Sequence, residues 1–232
     1  RNEVTPVRTR EALLAEMDRQ GVGRALIYHA QAEDVSAYDG NLCLEPWLGK
    51  DERLRPQWVV LPTAESLGQL EDLYGQGRVS SVRLFETWPA GLPFRPWAYA
   101  DLLSWLSERG IPVWIPLPEA NVDDLVTTLQ AYPDLVTVLV GAHYSQHLWI
   151  RPLLKALPNA HFELSRYEPI GQIEALNEEF GAERLLYGSW HSRYGMGPML
   201  YYLHHTTLSD GELALVCGGN VERILQGGQS DD

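Results

Sequence analysis

The stretch Gly181-Ala182-Glu183-Arg184-Leu185-Leu186-Tyr187-Gly188-Ser189-Trp190 decides the fold of this chain. Leu185-Leu186-Tyr187 is a short apolar run with glycine after it and a charged phrase before it, the pattern of a buried strand that follows a helix. Just upstream, Ile170, Ile173, Leu176 and Phe180 fall close to a 3.6-residue stripe, which predicts a helix over Ile170–Phe180. Helix, tight turn and buried strand make half of a βαβ unit.

The same unit recurs toward the N-terminus. Apolar runs stand at Ala25-Leu26-Ile27-Tyr28-His29, Trp58-Val59-Val60-Leu61, Val82-Arg83-Leu84-Phe85, Val113-Trp114-Ile115, Val136-Thr137-Val138-Leu139-Val140 and His161-Phe162-Glu163-Leu164-Ser165. Between and before them, periodicity predicts helices over Thr9–Gln20, Glu65–Tyr74, Ala98–Glu108, Val122–Ala131 and Trp149–Leu157. Buried runs alternating with helices predict a parallel sheet with right-handed crossovers, an α/β fold of the (β/α)8 TIM-barrel type. Seven strands are countable where a closed barrel needs eight, so the first strand is expected to be missing or to lie upstream of Arg1. No linker, repeat or low-complexity tract divides residues 1–232, which read as one domain. The stretch Glu33–Leu54 is rich in Asp, Gly and Pro and reads as a long loop of the kind that shapes a site.

With 31 acidic against 18 basic residues the net charge is −13. So negative a surface repels phosphate backbones and anionic bilayers, which argues against nucleic acid and membrane as partners. No run approaches the roughly 20 apolar residues of a membrane span. Cys43 and Cys217, far apart in sequence, read as buried thiols in a reducing, cytoplasmic compartment rather than as a disulfide. No signal peptide is visible, but the chain starts at Arg1 and not at Met, which leaves its natural start and any export signal open.

The phrase ending at Trp190 resembles the last barrel strand of the amidohydrolase superfamily, in its amidohydrolase-related branch. There the pattern G-A-E-R-L-L-[FY]-G-S-D delivers an aspartate that binds the catalytic metal. Other phrases carry the resemblance over nearly the whole chain. Glu11 to His29 looks like the family's first helix and second strand. Pro158-Asn159-Ala160-His161-Phe162-Glu163-Leu164-Ser165 is similar to its seventh strand, and Gly218-Gly219-Asn220 with Val221 to Leu225 to its closing helix.

The resemblance implies a TIM barrel that hydrolyses or decarboxylates a small carboxylic, lactone or amide substrate. It also implies one or two divalent metals, held by His-x-His on strand one, histidines on strands five and six, and the strand-eight aspartate. Such a metal activates water and polarises a carbonyl. This sequence departs from the pattern. It has no His-x-His, Trp114 and Pro116 stand at the strand-five position, Gly141 at the strand-six position and Trp190 at the strand-eight position. None of these side chains ligates as His or Asp does. The expectation is a degenerate, metal-free site, with a divalent metal such as zinc only if an upstream strand supplies ligands. His143 and His147 could chelate a metal from one helix face, but no adjacent glutamate or third ligand accompanies them, and they also read as polar loop residues.

Sites of this architecture lie at the C-terminal ends of the strands. There His29, Arg83 and Glu163 are the candidate catalytic residues. Trp114, His143, Ser165, Tyr167, Trp190 and His191 are candidates for binding substrate, with Glu86, Arg166 and Arg193 nearby. Polar side chains at alternate positions of His161-Phe162-Glu163-Leu164-Ser165 need a polar interior to face. Arg83 is a charge in an apolar strand and must meet a carboxylate or an anionic ligand, so Glu163 is expected within salt-bridge reach, beside a concavity at the mouth. His29, at a strand end, suits acid–base work near neutral pH. Nothing like a nucleophile elbow surrounds Ser165. These residues fit a hydrolase or decarboxylase acting on a small molecule, and equally a non-catalytic binding or scaffold protein filled by a structural Arg83–Glu163 pair and aromatic plugs. Homo-oligomerisation is left open.

Overall fold

The computed structural model describes residues 7–49, 52–85 and 92–227. Helix α1 (Arg10–Gln20) begins where the Thr9 hydroxyl accepts a hydrogen bond from the Ala12 N–H and ends at Gly21 in the left-handed region, burying Leu13 and Met17. It leads into β1 (Ala25–Ile27), which pairs in parallel with β2 (Leu54–Pro56). One residue later, β3 (Trp58–Val59) pairs with β4 (Val82–Arg83). The joint is Gln57, whose N–H donates to Ile27 O at 2.7 Å, so β2 and β3 are two halves of one strand handed from one neighbour to the next. The sheet continues through β5 (Val113–Pro116), β6 (Thr137–Val140), β7 (Ala160–Glu163) and β8 (Leu185–Leu186), every pairing parallel. With β2 and β3 counted once, the seven predicted strands are all present, each at its predicted run.

Helices fill the predicted gaps: α4 (Ala64–Gly75), α5 (Pro96–Glu108), α6 (Val122–Gln130), α7 (His147–Ala156) and α8 (Gln172–Phe180), and α9 (Gly197–Leu203) follows β8. Two expectations need correction. The connection after β1 is not a loop but holds α2 (Ala30–Asp34) and α3 (Ala37–Leu48). Ser36 caps α3 through Asp39 N–H, and Ala37, Gly40, Asn41 and Leu44 recur on one buried face, so Pro46 and the polar residues did not break the helix. The other correction is Ile170, which lies outside α8 and is 93% exposed, because Gly171 in the left-handed region starts the helix after it.

Alternation along the strands sorts side chains into two layers. Val82, Val113, Ile115, Leu139, Phe162 and Leu185 face the helices in the largest core cluster. Trp114, Val138, Val140 and Leu186 face the other way and meet Leu26 and two residues of α11 (Asn220–Gly227), Ile224 and Leu225. That second face is the barrel interior. Each fully buried Leu or Val contributes roughly 1.5–3 kcal/mol through burial.

Between β8 and β1 no ladder forms among the described residues. The outer edge of β8 is met by the end of the chain. Tyr187 N–H donates to Val216 O at 2.7 Å, within a π turn (Leu215–Gly219) that joins α10 (Asp210–Ala214) to α11. Buried Asn220 donates its side-chain amide to Ala182 O at 2.7 Å and Leu185 O at 2.8 Å. On the other side Glu222 pairs with Arg24 and Arg55, at 3.0 Å each. A cleft of about 910 Å³ opens along this seam beside Tyr187, Leu200, Cys217 and Glu222. Cys217 is exposed there and Cys43 partly buried, both as free thiols, so neither is the buried thiol expected. The first strand, expected to be missing or to lie upstream of Arg1, falls outside the described residues, as do residues 1–6. No helix among the described residues is long and apolar enough to cross a membrane.

Candidate active site at the barrel mouth

The interior column of the second strand runs Arg55, Gln57, Val59; that of β4 ends in Arg83 and Phe85; that of β7 in His161 and Glu163. Arg83 is 5% exposed and turned inward, as expected. Its Nη1 donates to Gln57 Oε1 at 3.2 Å, and its Cζ lies 4.9 Å from the ring centroids of both Tyr28 and Phe85. Its Nε has no partner. Glu163 is half-buried, no ion pair joins it to Arg83, and its Oε1, shut off from solvent, is likewise without a partner. The expected salt bridge is therefore absent: the guanidinium is engaged by Gln57 and two rings, and the two charges meet only at longer range.

Burial pushes the Glu163 carboxyl up from the usual range, with Arg83 the largest opposing influence and Ser165 next. Ser165 is 4% exposed and close enough to favour the carboxylate, yet its hydroxyl forms no well-shaped hydrogen bond. Glu163 rests against Gly188, where any Cβ would overlap its carboxyl carbon. The glycine of the Tyr187-Gly188-Ser189 phrase thus makes room for the acid on the neighbouring strand.

Trp190 sits at φ +48, in the left-handed region that an indole-bearing residue rarely adopts. Its ring covers Gly141, itself at φ +73. A Cβ added there would stand 2.7 Å from Trp190 Cη2 and closer still to Cζ3. The indole N–H is buried without a well-formed partner, beside the Tyr28 hydroxyl. Tyr28 donates to Glu33 Oε2 at 3.4 Å, and Glu33 pairs with Arg193, whose guanidinium lies 5.3 Å from the Trp190 ring centroid. Tyr28, Glu33, Arg83, Trp190 and Arg193 form one connected network at the mouth, with Glu163 at the end of β7 and Ser165 just beyond it.

Trp114 is 3% exposed and packs with Val138, Val140 and Leu186 on the interior floor. The remaining candidates belong elsewhere. His29 caps α2, its Nδ1 accepting from Gln31 N–H at 3.3 Å, and its ring lies edge-on to Trp47 at 6.4 Å; burial lowers its pKa. His143 caps the turn before α7, its N–H donating to Gln146 Oε1 at 2.9 Å while its ring lies on Tyr144 at 3.8 Å. Tyr167 is 1% exposed, edge-on to Phe162 in the helical layer, because the chain turns sharply after Leu164. His191 lies with Nδ1 3.2 Å from Tyr194 O and is near Glu16 of α1, not in the Arg83 network. Glu86 lies outside the described residues. Sequence reasoning missed Tyr28, Gln57 and Glu33. Among the described residues no three His, Cys, Asp or Glu side chains gather in a way that could hold a metal ion.

Parallel strands, alternating helices and a polar cluster at the C-terminal strand ends define a protein of TIM-barrel architecture. The chain belongs to the amidohydrolase family: the family model described as Amidohydrolase matches residues 5–226. Its fold is similar to that of an uncharacterised TIM-barrel protein from Bordetella bronchiseptica, with 16% identity and a TM-score of 0.73 over 95% of this chain and 83% of that one. It is also similar to 5-carboxyvanillate decarboxylase from Sphingomonas paucimobilis, at 15% identity and a TM-score of 0.71 over 92% and 82% of the two chains. A third is 2,6-dihydroxybenzoate decarboxylase from Rhizobium, at 12% identity and a TM-score of 0.71 over 97% and 90%. At such identities the likeness speaks to the fold alone. No curated protein matches the sequence.

Proposed function

We propose that this amidohydrolase-family chain takes a small carboxylic acid, or a lactone or amide bearing a carboxylate, at the barrel mouth without a metal ion, and acts on it by hydrolysis or decarboxylation. One observation carries the reading. Buried Arg83 and half-buried Glu163 face the same interior, no ion pair joins them, and each keeps a solvent-excluded polar atom without a partner. A buried guanidinium without a carboxylate is costly, and an anionic ligand would offset that cost. Glu163, held toward its protonated form, is then a proton carrier at a pH where ordinary glutamates are ionised. The decarboxylases among the structural neighbours, named for aromatic carboxylates, support a small acid as the substrate class.

The residues at the family's metal positions do not fit a metal ion. The Trp190 ring fills the space over Gly141 where a ligating side chain would stand, and Pro116 has no donor. The work falls to the chain's own groups: Arg83 binds and orients the carboxylate, Tyr28, Phe85 and Trp190 exclude water, and Glu163 holds or releases a proton at its carboxyl. A second reading, a non-catalytic binding or scaffold protein, is favoured by the density of that interior, where the unpartnered polar atoms have no contact with solvent.

The protein, stripped with EDTA, is titrated with benzoate and acetate while its thermal midpoint is followed. It is then assayed for release of carbon dioxide from hydroxybenzoates and for hydrolysis of lactones and amides. Stabilisation by a carboxylate is expected to survive chelation and to vanish in Arg83→Ala. Turnover that Glu163→Gln removes while binding persists supports the enzyme; binding without turnover supports the second reading. Activity that appears only with added divalent metal overturns the metal-independent site.

A further inference from the structure

Gln57 is a buried polar side chain that none of the chemistry above uses. It is 2% exposed and stands at the joint where the second strand passes from β1 to β4. Interruptions of this kind re-aim a side chain and are common beside sites. Its Oε1 accepts from Arg83 Nη1 at 3.2 Å, but its Nε2, with two protons to donate, has no partner, and neither has Arg83 Nε. Native interiors pair the large majority of such donors, with protein or with ordered water. The unmatched acceptor in the same interior, Glu163 Oε1, bonds neither of them, so two unmatched donors linked through one hydrogen bond point to an acceptor brought by a ligand. The guanidinium cannot turn away to find one: Tyr28 and Phe85, each at 4.9 Å, hold its position while Gln57 holds Nη1.

Resting on the carboxylate reading of the mouth, we infer that Gln57 and Arg83 form one carboxylate cradle, in which Gln57 fixes the guanidinium and offers its own amide N–H as a second donor to the bound acid. A carboxylate brings two acceptor oxygens to these donors. A primary amide of the same shape brings one oxygen and an NH2 that would face another donor. The cradle therefore selects acids over their amides, and the aromatic rings around it suit a flat acid.

Benzoate and benzamide are the probes, with binding measured by calorimetry and by thermal shift on the full chain. The wild type binds benzoate in preference to benzamide. Gln57→Met keeps length and removes the donors; it weakens benzoate by about tenfold or more, the size of effect of a lost charge-assisted hydrogen bond, and leaves benzamide unchanged. Gln57→Glu sets a built-in carboxylate against Arg83; it abolishes benzoate binding while holding or raising the thermal midpoint. A purely structural Gln57 predicts the reverse, with shifted midpoints and an unaltered benzoate-to-benzamide ratio. If the wild type does not bind benzoate, the carboxylate reading falls and the cradle with it. If the wild type binds and Arg83→Ala does not, but either Gln57 variant binds benzoate like the wild type, the cradle is overturned and the carboxylate reading stands. Should Gln57→Glu not fold, Gln57→Met decides alone.

Discussion

Replacing Gly141 by alanine tests the interlock between the end of β6 and Trp190. Two costs add. At φ +73 an L-residue loses about 1–2 kcal/mol relative to glycine. The new Cβ would also lie 2.7 Å from Trp190 Cη2 and nearer to Cζ3, well inside contact distance, and overpacking of this kind costs about 1–3 kcal/mol. The sum centres on about 3 kcal/mol, which for a domain of this size lowers the melting temperature by roughly 6–12 °C. Thermal and urea unfolding followed by circular dichroism measure it, repeated with Trp190→Ala as background. Removing the indole removes the overlap but not the backbone term, so Gly141→Ala should then cost only about 1–2 kcal/mol. Equal costs in the two backgrounds would refute the reasoning, because they would show that the indole does not occupy the space over Gly141.

Three other outcomes follow from the same geometry. His161, on the interior face of β7, is held at a pKa of about 4 by burial and by the charges of Arg184 and Arg223, against about 6.5 in the unfolded chain. Its contribution is complete above pH ~6.5 and is lost as pH falls toward 4, on the order of 3 kcal/mol; urea unfolding across that range should be flatter in His161→Gln, and an unchanged slope would dismiss the assignment. Glu163 has the opposite sign: its raised pKa means stability present at low pH and lost as pH climbs through the folded value, so Glu163→Gln should hold its melting temperature better than the wild type as pH is raised from the acid range through neutrality. Asn220→Ala removes two donated hydrogen bonds and leaves two buried carbonyls short of a partner; a loss of about 2–4 kcal/mol in chemical denaturation is expected, and a loss below about 0.5 kcal/mol, the scale of an ordinary surface change, would show that the amide does not hold the edge of β8.

The strands were legible because each is a short apolar run set between helical stripes, and burial on both faces leaves little room for other readings. Glu163 and Arg83 were legible for a related reason: a charge in such a run has nowhere to go but the interior. Strand parity was the signal left unused. Leu26 and Tyr28 share the inward face of β1, and His29 falls on the other, so parity selects the tyrosine over the histidine. Gln57 was hidden because the apolar run seemed to begin at Trp58, whereas the inward column begins earlier. Tyr167 was misplaced because the turn after Leu164 ends the alternation on which parity depends. Helix α3 was missed because composition was read in place of spacing; its buried face is periodic despite Gly40 and Pro46.

The carbonyl of Leu185 finds its donor in a side chain 35 positions further along the chain. During synthesis, β8 therefore leaves the ribosome with an open edge and keeps it until Asn220 and the turn before it follow, some seconds later at roughly 5–20 residues per second. An open, apolar edge is the part of a sheet most ready to pair with a stranger. The last-made segment thus acts as a latch in time as well as in space, and chains interrupted before residue 220 would be the aggregating fraction of any preparation.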